Sequence, residues 1–193
     1  MSDQDRVKWD KRYAEGAYAG RDHPSALLAE RLSELPLPPR GERPRALDVA
    51  CGAGRNSLYL ARHGFRVDAI DIAANGLQRG RERAERDGLS DHISWYCQDL
   101  FADSHYPHTG YALIVVFRFV ANPILPDLGR LLAPGGILMV ESHLHWPDPQ
   151  VVLSGPQTPA FRVKSGQLRE CVAPLEGFDI LLDEEGLVEE PDG

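Results

Sequence analysis

The sequence predicts a fold of the α/β class, with a doubly wound and mostly parallel sheet flanked by helices. From Arg45 onward, short apolar runs alternate with stretches whose apolar residues recur at helical spacing, a pattern typical of βαβ units. The first apolar run ends in a glycine-rich turn, and acidic residues lie at or near the ends of the first three runs. Because the carboxyl ends of parallel strands meet at one edge of a sheet, we expect a ligand site at that edge.

Five strands are expected along the chain, with three crossover helices between them. The strands are Arg45 to Ala50, Arg66 to Asp71, His92 to Cys97, Tyr111 to Phe117 and Ile137 to Glu141. The helices are Asn56 to His63, Ala73 to Asp87 and Ile124 to Leu132, and Phe101 to Gly110 is predicted to be a loop. A short helix at Gln167 to Val172 and a last strand at Phe178 to Leu182 are expected to follow.

The pattern also divides the chain into two parts. Residues 1–40 are predicted to form an N-terminal helical segment, or lid, packed on a single domain of residues 41–193. In the first part, Ser25 to Leu35 carries leucines at helical spacing. The proline-rich stretch Pro36 to Gly41 predicts a turn that joins this segment to the main body.

Length and charge limit the classes of protein to which the chain can belong. A chain of 193 residues, 42% of them hydrophobic, can bury a core without disulfides or structural metals. The formal net charge of −8 disfavours nucleic-acid binding, because phosphates attract basic surfaces. The stretch Arg79 to Arg86 interleaves arginine with glutamate, which is typical of a solvated helix face with weak ion pairs.

Cysteine use and hydropathy indicate the compartment. The three cysteines, Cys51, Cys97 and Cys171, are widely separated and match neither a disulfide framework nor a zinc motif. The N-terminus is charged and has no apolar signal-peptide core, and no apolar run approaches the length of a membrane span. We therefore expect a cytoplasmic protein without a membrane partner, and the sequence leaves its oligomeric state open.

The most informative stretch is Leu47 to Ser57, where a strand runs through Gly52-Ala53-Gly54 into a helix. The glycines permit a tight turn and let a ligand approach bare backbone at the helix N-terminus. Such a turn fits either a dinucleotide or S-adenosylmethionine (SAM). A dinucleotide fingerprint needs a third glycine, and Ser57 stands at that position, which disfavours the dinucleotide.

Charge separates the two cofactors further. Asp48, Asp71 and Asp99 lie at or near the ends of the first three strands, so their carboxylates are expected to converge on one crevice. They would repel a pyrophosphate but attract SAM, which carries a sulfonium and an ammonium against one carboxylate. Asp71 follows Gly52 by 19 residues, close to the spacing at which an acidic residue meets ribose hydroxyls with either cofactor.

These motifs together resemble the class I SAM-dependent methyltransferases, and in particular the small branch similar to tellurite-resistance and thiopurine methyltransferases. The resemblance rests on LDVACGAGRNSLYLA, VDAID, QDL and LLAPGGILMVES and extends from about Trp9 to Glu141. It implies a Rossmann-like methyltransferase fold with residues 41–193 as the SAM-binding domain. That fold normally adds a final antiparallel strand, but the chain ends at Pro191-Asp192-Gly193, where Asp-Gly is typical of a hairpin turn. We expect the sheet to lack this strand, through either truncation or design.

The resemblance also implies a role for each cofactor-binding residue. The methionine end of SAM is expected on the backbone around Ala50, Cys51, Gly52 and Gly54, with Asp48 ordering the ammonium directly or through water. Asp71 is expected to bind the ribose hydroxyls. Adenine is expected to contact Ile72, the Asp99 carboxylate and the Leu100 amide. The residue Cys51 itself is interpreted as a small side chain in a crowded turn, because spacing identifies no base that would make it a nucleophile.

The acceptor side carries the catalytic candidates. The resemblance places Phe117 and Arg118 opposite the methyl group, and its Trp-Asp-x-x-Tyr stretch, matched by Trp9 to Tyr13, closes over the site. His143 and His145 are candidates for acceptor positioning; with Glu141 they could form a metal site, but no further ligand is marked, so no metal is expected. The catalytic candidates are therefore Arg118, His143, His145 and Tyr13.

We expect a SAM-dependent methyltransferase that transfers a methyl group in line to a small-molecule acceptor. No well-marked general base is found, which favours an acceptor that is small, soft or already ionised. Two alternatives remain: an NAD(P)-dependent oxidoreductase that uses the same glycine turn and Asp71, and a SAM-binding protein without turnover.

Overall fold

The computed structural model describes residues 3–36, 43–103, 105–146, 148, 150–151, 153 and 155–188. The predicted proline-rich turn, from residue 37 onward, and the terminal Pro191-Asp192-Gly193 lie outside the described residues. Across the ranges that are described, no helix is long and apolar enough to span a membrane.

The fold is built on five parallel strands in the order β3-β2-β1-β4-β5, which confirms the predicted fold class. The strands are β1 (Arg45–Val49), β2 (Arg66–Asp71), β3 (Ile93–Cys97), β4 (Tyr111–Phe117) and β5 (Leu132–Glu141). β5 starts five residues before its predicted beginning, because Leu132 pairs with Tyr111 ahead of an irregularity in the register. A Cβ on Gly136 would lie 2.6 Å from the carbonyl oxygen of Tyr111, so only glycine allows this approach.

Helices flank the sheet, largely where the sequence predicts them. They are α1 (Asp3–Ala14), α2 (Ala26–Arg31), α3 (Arg55–Arg62), α4 (Ala74–Arg86), α5 (Leu125–Arg130) and α6 (Gln167–Val172). Helix α1 has no predicted counterpart among the elements derived from periodicity. Two single turns of 3₁₀ helix complete the elements of the described chain, at Ser90–His92 and Pro159–Phe161.

The predicted strand at Phe178 to Leu182 is wrong. This stretch is irregular, and its apolar side chains are exposed. A strand is stable only where a neighbour completes its hydrogen bonds, and here the following residues bind α6 instead. The Asp183 carboxylate accepts a hydrogen bond of 2.5 Å from Arg169 Nε, and Glu185 accepts one of 2.7 Å from the backbone N–H of Gly166.

Apolar side chains form one cluster on each face of the sheet. Helices α3 and α4 cover one face, where Leu58 and Leu77 pack with Val67 and Val115. Helix α5 covers the other face through Leu125 and Leu128, which pack with Ile114 and Val116. Every residue of β4 is buried, as expected for a central strand of a parallel sheet. Leu28 of α2 joins the α3/α4 cluster, so the N-terminal segment shares the core.

A buried polar pair lies toward the amino ends of the strands. The Tyr111 hydroxyl donates a hydrogen bond of 2.9 Å to Asp68, and both residues are almost completely buried. Burial and the neighbouring Asp68 raise the pKa of Tyr111, so the phenol stays protonated. Arg45 contacts the same carboxylate oxygen at 3.4 Å.

Tyr111→Phe is expected to destabilise the protein by about 1–3 kcal/mol, because a buried carboxylate loses a hydrogen-bond donor. Urea unfolding measures this change. Tyr59→Phe is the matched control, since the Tyr59 ring stacks on His63 at a partly exposed position, and it should change stability by less than about 0.5 kcal/mol. Equal stabilities for the two variants would show that the pair does not stabilise the fold.

Candidate active site

A strained loop connects β1 to α3 at the carboxyl edge of the sheet. Ala50, Gly52 and Gly54 all have positive φ, at 56°, 58° and 74°. Glycine adopts this region freely, whereas alanine is strained there, and such strain concentrates at functional sites. The backbone N–H of Gly54 donates to Cys51 O at 2.9 Å, and that of Cys51 donates to Ile70 O at 3.0 Å. The loop is therefore a fixed turn that presents its backbone at the sheet edge.

Asp71 holds this loop in place. Its two carboxylate oxygens accept hydrogen bonds of 2.8 Å, one from the N–H of Gly52 and the other from the N–H of Ala73 just before α4. Burial raises the pKa of Asp71, and these backbone donors oppose the rise. An ionised carboxylate has about four lone-pair sites, so Asp71 can still accept from ribose hydroxyls. Its role in tying the loop to α4 is one that the sequence did not predict.

Asp48 lies beneath the loop. It is 1% exposed, and Ser57 donates to it a hydrogen bond of 2.5 Å. Burial raises the pKa of Asp48 to about 7, although the Ser57 hydrogen bond and the charge of Arg55 lower it. Ser57, the residue that replaces the third glycine of a dinucleotide fingerprint, thus binds the acid below the turn. Asp48 therefore contacts Ser57 on α3, the helix that follows the loop.

The other predicted cofactor residues are distributed along the same edge. Asp99 follows β3, and its carboxylate accepts from the N–H of Phe101 at 2.9 Å. Ile72 and Leu100 are buried, and Leu100 packs in the core with Val49 and Ile70. Asp48 and Asp71 interact electrostatically, whereas Asp99 lies in a more exposed loop. The structure therefore brings two of the three carboxylates together at the glycine loop.

Cys51 is buried inside the loop. Burial raises the pKa of its thiol well above the ordinary value, and the nearby Asp48 and Asp71 raise it further. Because only the thiolate is a good nucleophile, burial disfavours a nucleophilic role for this cysteine. Its environment agrees with the interpretation of a small residue in a crowded turn.

A polar network joins the ends of β4 and β5 to the N-terminal segment. Arg118, at φ 61° just after β4, donates from Nε to Glu141 at 2.9 Å. The other Glu141 oxygen accepts from the Ser25 hydroxyl at 3.2 Å, and the Ser25 N–H donates to Asn56 Oδ1 at 2.9 Å. Phe117, immediately before Arg118, is buried. Ser25 and Asn56 are site residues that sequence reasoning missed.

The two histidines lie beside this network. Residues 143–145 pair with Val163, whose N–H donates to His143 O and whose carbonyl accepts from the N–H of His145, both at 2.8 Å. Burial lowers the pKa of His143 to about 4, and the positive charges of Arg118, Arg162 and Arg21 add to this effect. His143 is therefore neutral at pH 7. Glu141 is occupied by Arg118, and within the described ranges no three His, Cys, Asp or Glu side chains are grouped to hold a metal ion.

Tyr13, on α1, covers the glycine loop. A Cβ built on Gly52 would lie well inside 3.0 Å of the Tyr13 hydroxyl, and one on Gly76 would lie 3.1 Å from the edge of the ring. Burial raises the pKa of Tyr13, as do the neighbouring Asp71 and Cys51, so it remains a phenol. The tyrosine thus stands on the backbone where the methionine end of SAM is expected.

A family model and several solved structures match the part of the chain that contains this site. Residues 46–136 match the family model described as a methyltransferase domain, a range that contains the glycine loop, Asp71 and Asp99. The matched segment makes up just under half of the chain. TehB from Haemophilus influenzae superposes on it with a TM-score of 0.60 at 22% identity, covering 82% of this chain and 54% of TehB. The [4+2]-cyclase SpnF gives a TM-score of 0.56 at 24% identity, covering 75% of this chain and 55% of SpnF. These likenesses show the fold, which is that of the class I methyltransferases.

Curated relatives of the chain differ in the reactions that their names describe. The 2-methyl-6-phytyl-1,4-hydroquinone methyltransferase of Synechocystis is 34% identical over 74% of this chain and 46% of its own length. The ribosomal RNA small subunit methyltransferase C of Alcanivorax borkumensis is 27% identical over 76% of this chain and 45% of its own length. The chain spans about half the length of these relatives. Their names, together with the cyclase, illustrate that one fold hosts different reactions.

Proposed function

We propose that this protein is a SAM-dependent methyltransferase that transfers a methyl group in line to a small-molecule acceptor. The observation that carries the proposal is the methyltransferase-domain match, which spans the loop of Gly52 and Gly54 and the acid that follows it by 19 residues. The strained loop and its hydrogen bonds to Asp71 support the same assignment. The hydroquinone methyltransferase among the relatives supports a small acceptor.

Each part of SAM can be assigned to residues at the carboxyl edge of the sheet. The backbone from Ala50 to Gly54 would bind the methionine end, and the remaining lone pairs of Asp71 would bind the ribose hydroxyls. Ile72, which is 5% exposed, would pack on adenine, with the Asp99 carboxylate and the Leu100 N–H at the polar edge of the ring. The charge of Asp71, joined by that of Asp48 once Asp48 ionises near pH 7, favours a cationic cofactor over a dinucleotide pyrophosphate.

Methyl transfer needs little from the protein beyond positioning. When bound, SAM supplies a methyl group on a cationic sulfur; the acceptor lone pair forms the new bond, and the electrons of the broken C–S bond remain on sulfur as a neutral thioether. Phe117 and Arg118 would then shape the acceptor side, and Glu141 fixes Arg118. His143, neutral and beside Arg118, would accept the proton that an O–H or N–H acceptor loses.

Charge favours a small acceptor over RNA. The net charge is −8, and two arginines of α4, Arg79 and Arg83, donate hydrogen bonds to backbone carbonyls of the N-terminal segment. That face of α4 is thereby engaged within the protein. Because relatives include RNA methyltransferases by name, RNA belongs among the acceptors to be tested.

Titration calorimetry with SAM, S-adenosylhomocysteine (SAH) and NADPH tests the cofactor. We expect SAM and SAH to bind and NADPH not to bind; the reverse result would favour an oxidoreductase. Acceptor assays then follow SAH formation with hydroquinones, thiols, tellurite or selenite, small amines and RNA. Turnover with RNA alone would overturn the small-molecule acceptor. Tight SAM binding without turnover across the panel would favour a SAM-binding protein that is not an enzyme.

His143→Ala is expected to lower kcat about 10²- to 10⁴-fold for an acceptor that must lose a proton, the range for removal of a general base. An acceptor that is already anionic should be affected much less, because no proton has to be removed. Steady-state rates with one acceptor of each kind measure the difference. His108→Ala, at an exposed loop position, is the control, and equal losses for both acceptors would contradict a role for His143 as base.

A further inference from the structure

Helix α1 crosses the carboxyl edge of the sheet on a small number of polar and aromatic contacts. None of its residues is fully buried, so it adds no side chain to the core. Trp9 packs edge-on against Phe161 with ring centroids 6.1 Å apart. Other residues of α1 contact α4 and the glycine loop. An element held by so few buried apolar contacts can detach without unfolding the domain.

Asp10 caps helix α4 from outside that helix. Its carboxylate accepts two hydrogen bonds of 2.7 Å from Asn75, one from the backbone N–H and one from the side-chain amide. The residue before α4, Ala73, has no side chain that could serve as a cap. The first turn of a helix leaves N–H groups without intrahelical partners, and Asp10 satisfies one of them. The start of α4 is therefore coupled to the position of α1.

Arg79 binds the chain that follows α1. It lies one turn beyond Asn75 on α4, and its Nη1 donates to the carbonyl of Ala17 at 2.8 Å and to that of Tyr13 at 3.4 Å. Its guanidinium also lies 5.8 Å from the centre of the Tyr13 ring. One turn further, Arg83 pairs with Asp22 at 2.9 Å. The prediction of a solvated arginine-rich face is wrong at these positions, because the face carries the N-terminal segment.

These contacts fix Tyr13 between α4 and the glycine loop. The absence of a side chain at Gly52 and at Gly76 leaves just enough room for the ring and its hydroxyl. The hydroxyl therefore stands on the backbone that the proposed cofactor needs. A ligand and a side chain that use the same surface compete for it, and the apparent affinity falls with the fraction of molecules in which the surface is covered.

We infer that Asp10 and Arg79 hold Tyr13 over the glycine loop, so that cofactor binding requires these contacts to break. This inference rests on the proposed SAM site. It predicts that substitution of these residues strengthens cofactor binding, whereas substitution of residues that line a ligand site normally weakens binding. Here, removal of the Arg79 contacts should favour the uncovered conformation and speed association.

Arg79→Ala is expected to raise the association rate of SAH about fivefold to tenfold and to lower its Kd by a similar factor, as expected when hydrogen bonds of ordinary strength hold the competing conformation. Stopped-flow tryptophan fluorescence measures both rate constants, and Trp9 on α1 also reports the movement. Arg79→Lys keeps the charge with fewer donors and should lie between. Arg86→Ala, on the exposed side of the same helix, is the matched control and should leave the rates unchanged.

Amide hydrogen exchange in the absence of cofactor separates this inference from the proposed function. Arg79→Ala should speed exchange in α1 and leave the amides of β4 unchanged, which also shows that the variant is folded. If SAH binds neither the wild type nor the variants while α1 exchange rises, the proposed function fails and the hold on Tyr13 stands. If SAH binds and Arg79→Ala leaves its association rate unchanged or weakens binding, the inference is overturned.

Discussion

Replacing Gly54 with alanine is expected to destabilise the protein by about 2–5 kcal/mol and to abolish SAM binding. Gly54 has φ 74°, where a side chain costs about 1–2 kcal/mol. A Cβ there would also fall well inside 3.0 Å of the Trp95 ring, and overpacking of a filled site adds about 1–3 kcal/mol. Urea unfolding measures the loss of stability, and calorimetry measures the loss of SAM binding.

Gly80→Ala provides the matched comparison, because its Cβ would meet the same ring at 2.5 Å without any positive φ. Helix propensity alone would stabilise this variant by about 1 kcal/mol, but the contact should reverse the sign. In a Trp95→Leu background both alanines lose the overlap with the ring, so Gly80→Ala should cost less, with its Cβ then close to the Ala53 carbonyl oxygen at 3.2 Å, while Gly54→Ala keeps its backbone cost. If the two Gly→Ala substitutions changed the unfolding free energy equally in both backgrounds, backbone strain at Gly54 would not be a separate cost from overlap with the Trp95 ring.

The central strands could be predicted because their residues carry the information locally. β4 was expected at Tyr111 to Phe117 and has those bounds, since seven consecutive apolar residues suit a strand buried on both faces. β5 was expected only from Ile137. Its first part, Leu132 to Gly136, contains Pro134 and two glycines and has no strand pattern of its own, so it is a strand only through its pairing with Tyr111.

The bounds of helix α1 and the irregular stretch after α6 could not be predicted, for opposite physical reasons. Helix α1 is mostly polar and has no buried residue, so it carries no apolar stripe by which a helix is recognised. Its position depends on Asn75 and Gly52, which are distant in sequence. The stretch from Phe178 to Leu182 has the composition of a strand but lacks a partner, and composition alone does not supply one.

The sequence could predict those residues of the candidate site that lie close together in one motif. The glycine turn and Asp71 were found by spacing, and Asp71 does contact the turn. Ser25 was missed because its hydroxyl contacts Glu141 across 116 residues. Its place before α2 suggests a helix cap, yet it makes no capping hydrogen bond through its side chain. Contacts of this kind follow from the folded chain and leave no local pattern.

The wild type is expected to become less stable as the pH rises, and Asp48→Asn is expected to abolish this pH dependence. In the folded protein burial raises the pKa of Asp48 to about 7, against an ordinary value near 4 in the unfolded chain. Between these values the folded state holds a proton that the unfolded state has released, so stability falls as the pH rises. The cost is complete above about pH 7, and a shift of this size corresponds to about 2–4 kcal/mol.

Urea unfolding of both proteins from pH 5 to pH 8.5 tests this dependence. The stability of Asp48→Asn relative to the wild type should rise by about 2–4 kcal/mol across the range, whatever fixed cost the amide adds beside Ser57. His143 has a lowered pKa and acts in the opposite direction, its contribution falling as the pH drops from about 6.5 towards 4, but it is present in both proteins and cancels. Arg55 and Asp71, which face Asp48, are also retained, although Asp71 loses a neighbouring charge.

Asp103→Asn, at an exposed loop position, is the control, and its stability should follow that of the wild type across the pH range. Parallel curves for the wild type and Asp48→Asn would mean that Asp48 is ionised in the folded protein throughout this range, stabilised by Ser57 and Arg55.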